Sequence, residues 1–439
     1  MAMRWTSAQV RELAPDAASV KAARKLARPG PWSETGATAT LVWGKCQGSS
    51  STPYQVSVDL TGPAFRCSCP SRKFPCKHAV ALLLLWVETD GAVEEASAPA
   101  DFVGEWAEAR ADRASKRASQ AAPSDAGPVD PEAAAQRLAK RLTLMTDGLA
   151  DFQRWLFDLV RAGLAGARQQ PYAFWDQAAA RLVDAQLPGL AERVRAIPGD
   201  LARRREWADH LLAEAGRWYL ATELWPQRDQ LDAADLGELR AFLGWSWTSV
   251  EIEQGERVRD RWVVCGVHRT EDATIQSQRT WLHGQDTGAT VLVLDFAAVG
   301  GTFGVATVVG SIVDAEVALY PGHEPRRGRF VGTPAVIGRA GALPASGTFT
   351  DAHHRVAAWA AHTPWRDRWP AFVTASLVRT DGDSLVLQDA DGAGHPVVGI
   401  DQWEALAVTG GHEVQVFAEI EDGAARPLTG VLDGVLTPL

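Results

Sequence analysis

Cysteine is scarce in this chain, with 5 residues among 439, which excludes a disulfide framework as the means of holding it together. Long apolar runs are missing too. The longest, 79–87, is far short of the roughly 18 residues a membrane-spanning helix needs, so no membrane role is expected. The opening residues lack the apolar core of a signal peptide and are broken by Arg4, Arg11 and Lys21. A cytoplasmic, reducing location is the expectation. The common enzyme signatures are absent as well: no Gly-x-x-x-x-Gly-Lys-Ser/Thr, no His-Glu-x-x-His and no Gly-x-Ser-x-Gly. Asp286-Thr287-Gly288 occurs once, whereas aspartic-protease chemistry needs two such aspartates sharing a proton, so it reads as a hairpin turn. No enzyme is expected, and no small-molecule substrate is identified.

What is present is concentrated at one place. Cys67-x-Cys69, then six residues, then Cys76-x-His78 put three thiols and an imidazole within twelve positions. That is the donor set of a closed tetrahedral zinc site, with no open position for catalysis. In an extended segment Cys67 and Cys69 share a face. Cys76 and His78 cannot both sit inside a regular helix, because two residues turn it to nearly opposite sides. The spacing therefore predicts strand, knuckle, helix start, with Cys76 before the helix, His78 in its first turn and Pro70 and Pro75 in the knuckle. Arg66, Arg72, Lys73 and Lys77 surround the site. Their charge can balance the thiolates and favour metallation, or meet an anionic partner.

This stretch resembles the SWIM zinc finger, whose pattern is Cys-x-Cys, a variable gap, Cys-x-His and a helix. Cys67, Cys69, Cys76 and His78 match the four ligand positions. The upstream Trp43-Gly44-Lys45-Cys46-Gln47-Gly48 and Pro53-Tyr54-Gln55-Val56 also look like bacterial members of that family. The resemblance implies a structural Zn2+ and nucleic-acid or protein binding, and it supplies no catalytic residue. Bacterial proteins similar to this one carry a long extension and are encoded near AAA-type ATPases and von Willebrand-type proteins. An AAA-type ATPase system is thereby implied as a partner.

Charge is uneven along the chain. The first 87 residues hold 11 Lys/Arg against 4 Asp/Glu, a balance of +7, while the rest carries −17. A basic finger on an acidic body suits an anionic partner for the finger, DNA among them.

The pattern of residues predicts a helix over 5–28, which Pro15 can split, and strands over 39–43 and 54–60. The all-apolar helix after His78 must be buried, against the N-terminal helix. A helix is expected over 101–120 and a linker over 121–131, poor in anything to bury. Asp130-Pro131 then opens a long helix. Its seam of Leu138, Leu142, Met145, Leu149, Phe152, Leu156 and Leu159 suits either a coiled coil or, with helices at 172–187, 201–224 and 233–243 following, a bundle. The bundle is the expected outcome. Strands are expected at 262–267, 289–296, 303–309 and 312–320, irregular chain over 321–347, a helix over 351–362, and hairpins from 372 onward forming a small barrel or sandwich. Most of the 18 tryptophans read as core.

The expected fold class is α+β multidomain. It comprises a ββα-type zinc finger domain at 1–91, a partly helical segment and linker at 92–131, a helical bundle at 132–247, a β-rich domain at 248–348, and a short helix plus small β module at 349–439. The expected function is that of a zinc-binding, non-enzymatic adaptor or scaffold engaging protein partners. The alternative is a DNA-binding protein using Arg66, Arg72, Lys73 and Lys77.

Overall fold

The computed structural model describes residues 5–38, 40–48, 52–60, 64–71, 73, 75–104, 131–204, 206–271, 275–298, 303, 305, 307–380 and 384–439. The expected helix beyond residue 104, the linker before Pro131, the Asp130 cap and Arg72 lie outside these.

The N-terminal domain begins with two short helices, α1 (Ser7–Glu12) and α2 (Ala17–Arg24), parted around Pro15. Thr6 caps α1 through a reciprocal box with Gln9, and the Asp16 carboxylate caps α2 by accepting from Ser19 N. Five strands follow in space: β1 (Trp32–Ala37), β2 (Leu41–Cys46), β3 (Tyr54–Asp59), β4 (Ala64–Cys67) and the short β5 (Glu94–Glu95), ordered β4-β3-β2-β1-β5. The expected ββα unit is thus a five-stranded sheet. Strand β1 lacks alternation, passing from exposed and half-buried residues to buried ones, and β4 runs straight into the metal ligands, so neither carries a strand pattern. Helix α3 (Lys77–Glu88) is buried from His78 to Trp86, held between α1 and α2 on one side and β2, β3 and β4 on the other. Each leucine from Leu82 to Leu85 so enclosed stabilises by about 2 kcal/mol relative to exposure.

The bundle consists of α4 (Pro131–Ala162), α5 (Leu164–Ala167), α6 (Tyr172–Asp184), α7 (Pro188–Arg203), α8 (Trp207–Leu224), a 3-10 turn (Trp225–Gln230) and α9 (Ala233–Leu243). On α4, Met145, Leu149, Phe152, Leu156 and Leu159 are buried in the bundle, while Leu138 is 46% exposed. Leu142, half-buried, packs against the same core, so the seam serves the bundle from Leu142 onward. Two boundaries differ from expectation. Pro188 opens a helix, where a first-turn proline loses nothing. The expected helix 201–224 is interrupted after Arg203 and resumes at Trp207. Gly244 ends α9 at φ 81, and a Cβ on Gly189 would come within 2.6 Å of its nitrogen, so the start of α7 and the end of α9 touch backbone to backbone.

After α10 (Ser249–Glu253), five strands close into a barrel in the order β10-β8-β7-β6-β9: β6 (Arg257–Glu271), β7 (Ile275–Gly284), β8 (Thr290–Ala298), β9 (Ser311–Leu319) and β10 (Arg326–Arg339). The closed barrel thus lies upstream of where the hairpin spacing put one. Strand β10 closes it, antiparallel to β9 and parallel to β8, within the stretch expected to be irregular. Register shifts around Gly332 and Pro334 break its period, which is why it does not read as a strand. The described residues of 303–309 form no strand. Asp286-Thr287-Gly288 is the β7–β8 turn, pinned by the buried Asp260 carboxylate, which accepts from Asp286 N and Thr287 N at 3.0 Å each.

The C-terminal module comprises α11 (Phe349–Ala360), β11 (Arg368–Arg379), β12 (Leu385–Gln388), β13 (Gly394–Pro396), α12 (Gln402–Thr409), β14 (Val414–Glu421), β15 (Ala424–Leu432) and β16 (Val435–Pro438). Its six strands form an open sheet, order β13-β12-β11-β14-β15-β16. Phe372, Phe417, Leu428 and Leu436 share the barrel's core. Buried Glu419 accepts from Arg279 Nη2 of β7 at 2.6 Å and from Trp281 Nε1 at 2.9 Å.

The finger domain is tied to this β body. The buried Gln9 donates from Nε2 to Val309 O at 2.7 Å, Val308 joins the finger's core, Arg11 pairs with Glu404 of α12 at 2.6 Å, and α1 packs on β16. No helix among the described residues is long and apolar enough to cross a membrane.

Candidate metal centre

Strand β4 ends on Cys67, the chain bends through Cys69 and Pro70, and Cys76 stands at the N-cap of α3 with extended ψ of 163°. Its β conformation leaves His78 in the first helical turn. This is the strand, knuckle and helix start that the spacing requires. The ligand atoms of Cys67, Cys69, Cys76 and His78 all lie within 4.8 Å of one another. Cys67 Sγ is 3.8 Å from His78 Nδ1. Bonds of about 2.3 Å to sulfur and about 2.0 Å to nitrogen at tetrahedral angles put such a pair about 3.5 Å apart, so the donors are already near their bonding positions. Cys76 and His78 are buried, and Cys67 and Cys69 are half-buried.

The thiols influence one another. A hydrogen bond from the Cys67 thiol, against the opposing effect of burial and helped by His78, draws the Cys76 thiol down to about 4. The Cys67 thiol is raised by that same bond and by burial, and Cys69 is raised chiefly by burial. The cluster on its own favours one thiolate. Three thiolates side by side call for a divalent cation, which is the chemistry Zn2+ supplies when bound here. Cys46, buried at the end of β2, is pushed up to about 11 chiefly by burial and stands outside the ligand set. Its partner in the β2–β3 register, Tyr54, lays its ring 4.9 Å from the His78 imidazole. Motif spacing does not reveal that contact; the strand register does.

The surrounding cations are partly engaged. Arg66 Nη1 donates to Phe102 O at 3.1 Å. Lys73 Nζ pairs with Asp16 at 2.5 Å, and that contact, with the Ser19 amide, holds the Asp16 carboxyl down at about 2. Lys77 is exposed on the first turn of α3.

Among the described residues, the remaining cysteines and histidines form no second Cys/His cluster. Cys265 is fully buried, and burial pushes its thiol up. His268 is held down to about 4 by burial, with Arg279 and Arg426 adding to it. His353 meets His395, Nε2 to Nε2, at 2.6 Å, and His362 lies tilted against His323 with centroids 5.4 Å apart. Asp232, Asp235 and His323 also converge. Helix capping by Asp232 and the 2.7 Å contact of His323 Nε2 with Asp235 account for their positions.

A closed Cys3His site at the junction of a sheet and a buried helix makes this a structural zinc-finger protein. More narrowly, residues 54–86 match the SWIM zinc finger and residues 140–243 match the SWIM-associated four-helix bundle domain, so the chain carries both. No curated protein and no solved structure matches it.

Proposed function

We propose that this protein is a non-enzymatic adaptor or scaffold of the cytoplasm, in which the finger and the β modules dock protein partners. An AAA-type ATPase system is the partner to test first. The observation that carries the reading is the state of the cations around the finger: Arg66 and Lys73 are bonded to the chain's own acceptors. Phosphate contacts by those side chains would first have to break these bonds. The four protein donors leave the zinc without an exchangeable position, which favours scaffolding over catalysis. Five unpaired cysteines suit a reducing compartment.

The test is crosslinking in the native cell, purification of the zinc-loaded full chain, and a salt-titrated DNA shift on the same preparation. A stoichiometric protein partner with no salt-sensitive DNA shift is expected. A steep salt-dependent DNA shift that Lys77→Glu weakens, with no protein partner, overturns the reading in favour of a DNA-binding finger.

A further inference from the structure

The SWIM-associated bundle carries a groove of about 270 Å3 between α4 and α6. Gly148 and Ala185, both in its lining, bring α4 close to the C-terminal end of α6: a Cβ on Gly148 would fall 2.2 Å from that of Ala185. Phe152, Leu182 and the half-buried Trp155 line it. Two further apolar side chains near it lie open to solvent, Leu144 at 36% and Val183 at 46%. Among the lining residues are three exposed carboxylates, Asp147, Asp151 and Asp184, against one guanidinium, Arg181. Asp151 is paired with Arg154, while Asp147 and Asp184 have no ion pair among the described residues.

We infer that this groove is a docking site for an amphipathic helix of a partner protein, with one or two apolar anchors entering between Leu144 and Trp155 and Lys or Arg residues beside them meeting Asp147 and Asp184. The inference rests on the docking role proposed above and names the chemistry of the partner. Charge argues for a basic helix: the rim is acidic, and it belongs to a body carrying −17 over residues 88–439. An apolar floor flanked by fixed charge is the usual arrangement for helix-in-groove recognition.

The test uses a displayed library of helical peptides, unbiased in charge, selected on the zinc-loaded full chain. Selected peptides should carry apolar residues at i and i+3 or i+4 flanked by Lys or Arg. Their binding should weaken about tenfold or more in Asp147→Lys/Asp184→Lys and in Leu144→Glu. It should be unchanged in Asp209→Lys/Asp229→Lys, which makes the same charge change elsewhere. Selected peptides without basic bias, peptides indifferent to the groove variants, or no selection at all would overturn the groove assignment. If peptides bind yet ignore the groove, the assignment falls while the adaptor reading stands; if native crosslinking returns no protein partner, the adaptor reading falls by itself.

Discussion

In the bundle, α4, α6, α7, α8 and α9 each contribute a stripe to a common interior, with Trp175, Leu190, Leu211, Trp218 and Leu239 wholly enclosed. The finger domain encloses one helix, α3, equally well, but the knuckle that feeds it holds Cys67, Cys69, Pro70, Ser71, Lys73 and Pro75, of which the described residues before Pro75 are exposed or half-buried. Cohesion in the bundle is spread over many contacts. In the knuckle it is concentrated on one ion. Damage to the first should be graded, and to the second all-or-none.

The largest test of that contrast is Cys69→Ser. Losing a ligand should remove zinc, whose binding is worth about 10 kcal/mol or more in small fingers, and release the segment from β4 to the start of α3. Metal analysis and hydrogen exchange check this; native protection of residues 64–78 without zinc would end the argument for concentrated cohesion. The bundle should keep its protection. Leu211→Ala, in the bundle core, should cost about 4 kcal/mol in chemical denaturation with zinc stoichiometry unchanged. Zinc loss in that variant would mean the two regions are not separable.

Glu419→Gln probes the β body, where a buried ion pair joins barrel and sheet. The Gln variant should lose about 3 kcal/mol. Burial alone would raise the Glu419 carboxyl; the Arg279 guanidinium, with the Trp281 indole, outweighs it and holds the group below the usual carboxylate range. Its contribution is therefore complete above the unfolded glutamate value and disappears as pH falls through the lower folded value. Acid titration of wild type should show this loss, and the Gln variant should be flatter over that interval. The smallest effect is expected from Gln9→Ala, about 2 kcal/mol, through the lost bond to Val309 O and the lost contact from Thr6 N in the α1 capping box. Hydrogen exchange should rise at residues 7–12 and 308–310 together. A rise on one side only would show that the finger domain and barrel merely touch.

The metal site was legible because four donors of unusual chemistry sit close together in sequence, where spacing and local geometry coincide. The helices of the bundle were legible from their apolar period, and α9 was read at its observed bounds. Proline misled at position 188, where it reads as a helix stop: the preceding helix has already ended at Asp184, and Pro188 opens the next. The barrel was misplaced for a different reason. Its closing strand, Arg326–Arg339, carries glycine, proline and arginine, and what makes it a strand is pairing on both sides with β8 and β9. The contact between α1 and the barrel, about 300 residues apart, has no local signature at all.

That last contact also orders events in time. A chain leaves the ribosome from its amino end, and domains generally fold as they emerge. Helix α1 is made long before β16, yet it rests on β16 and on the loop at Val309. The finger can therefore take up its metal long before it can be seated, and its orientation on the body is settled only once translation has passed β16.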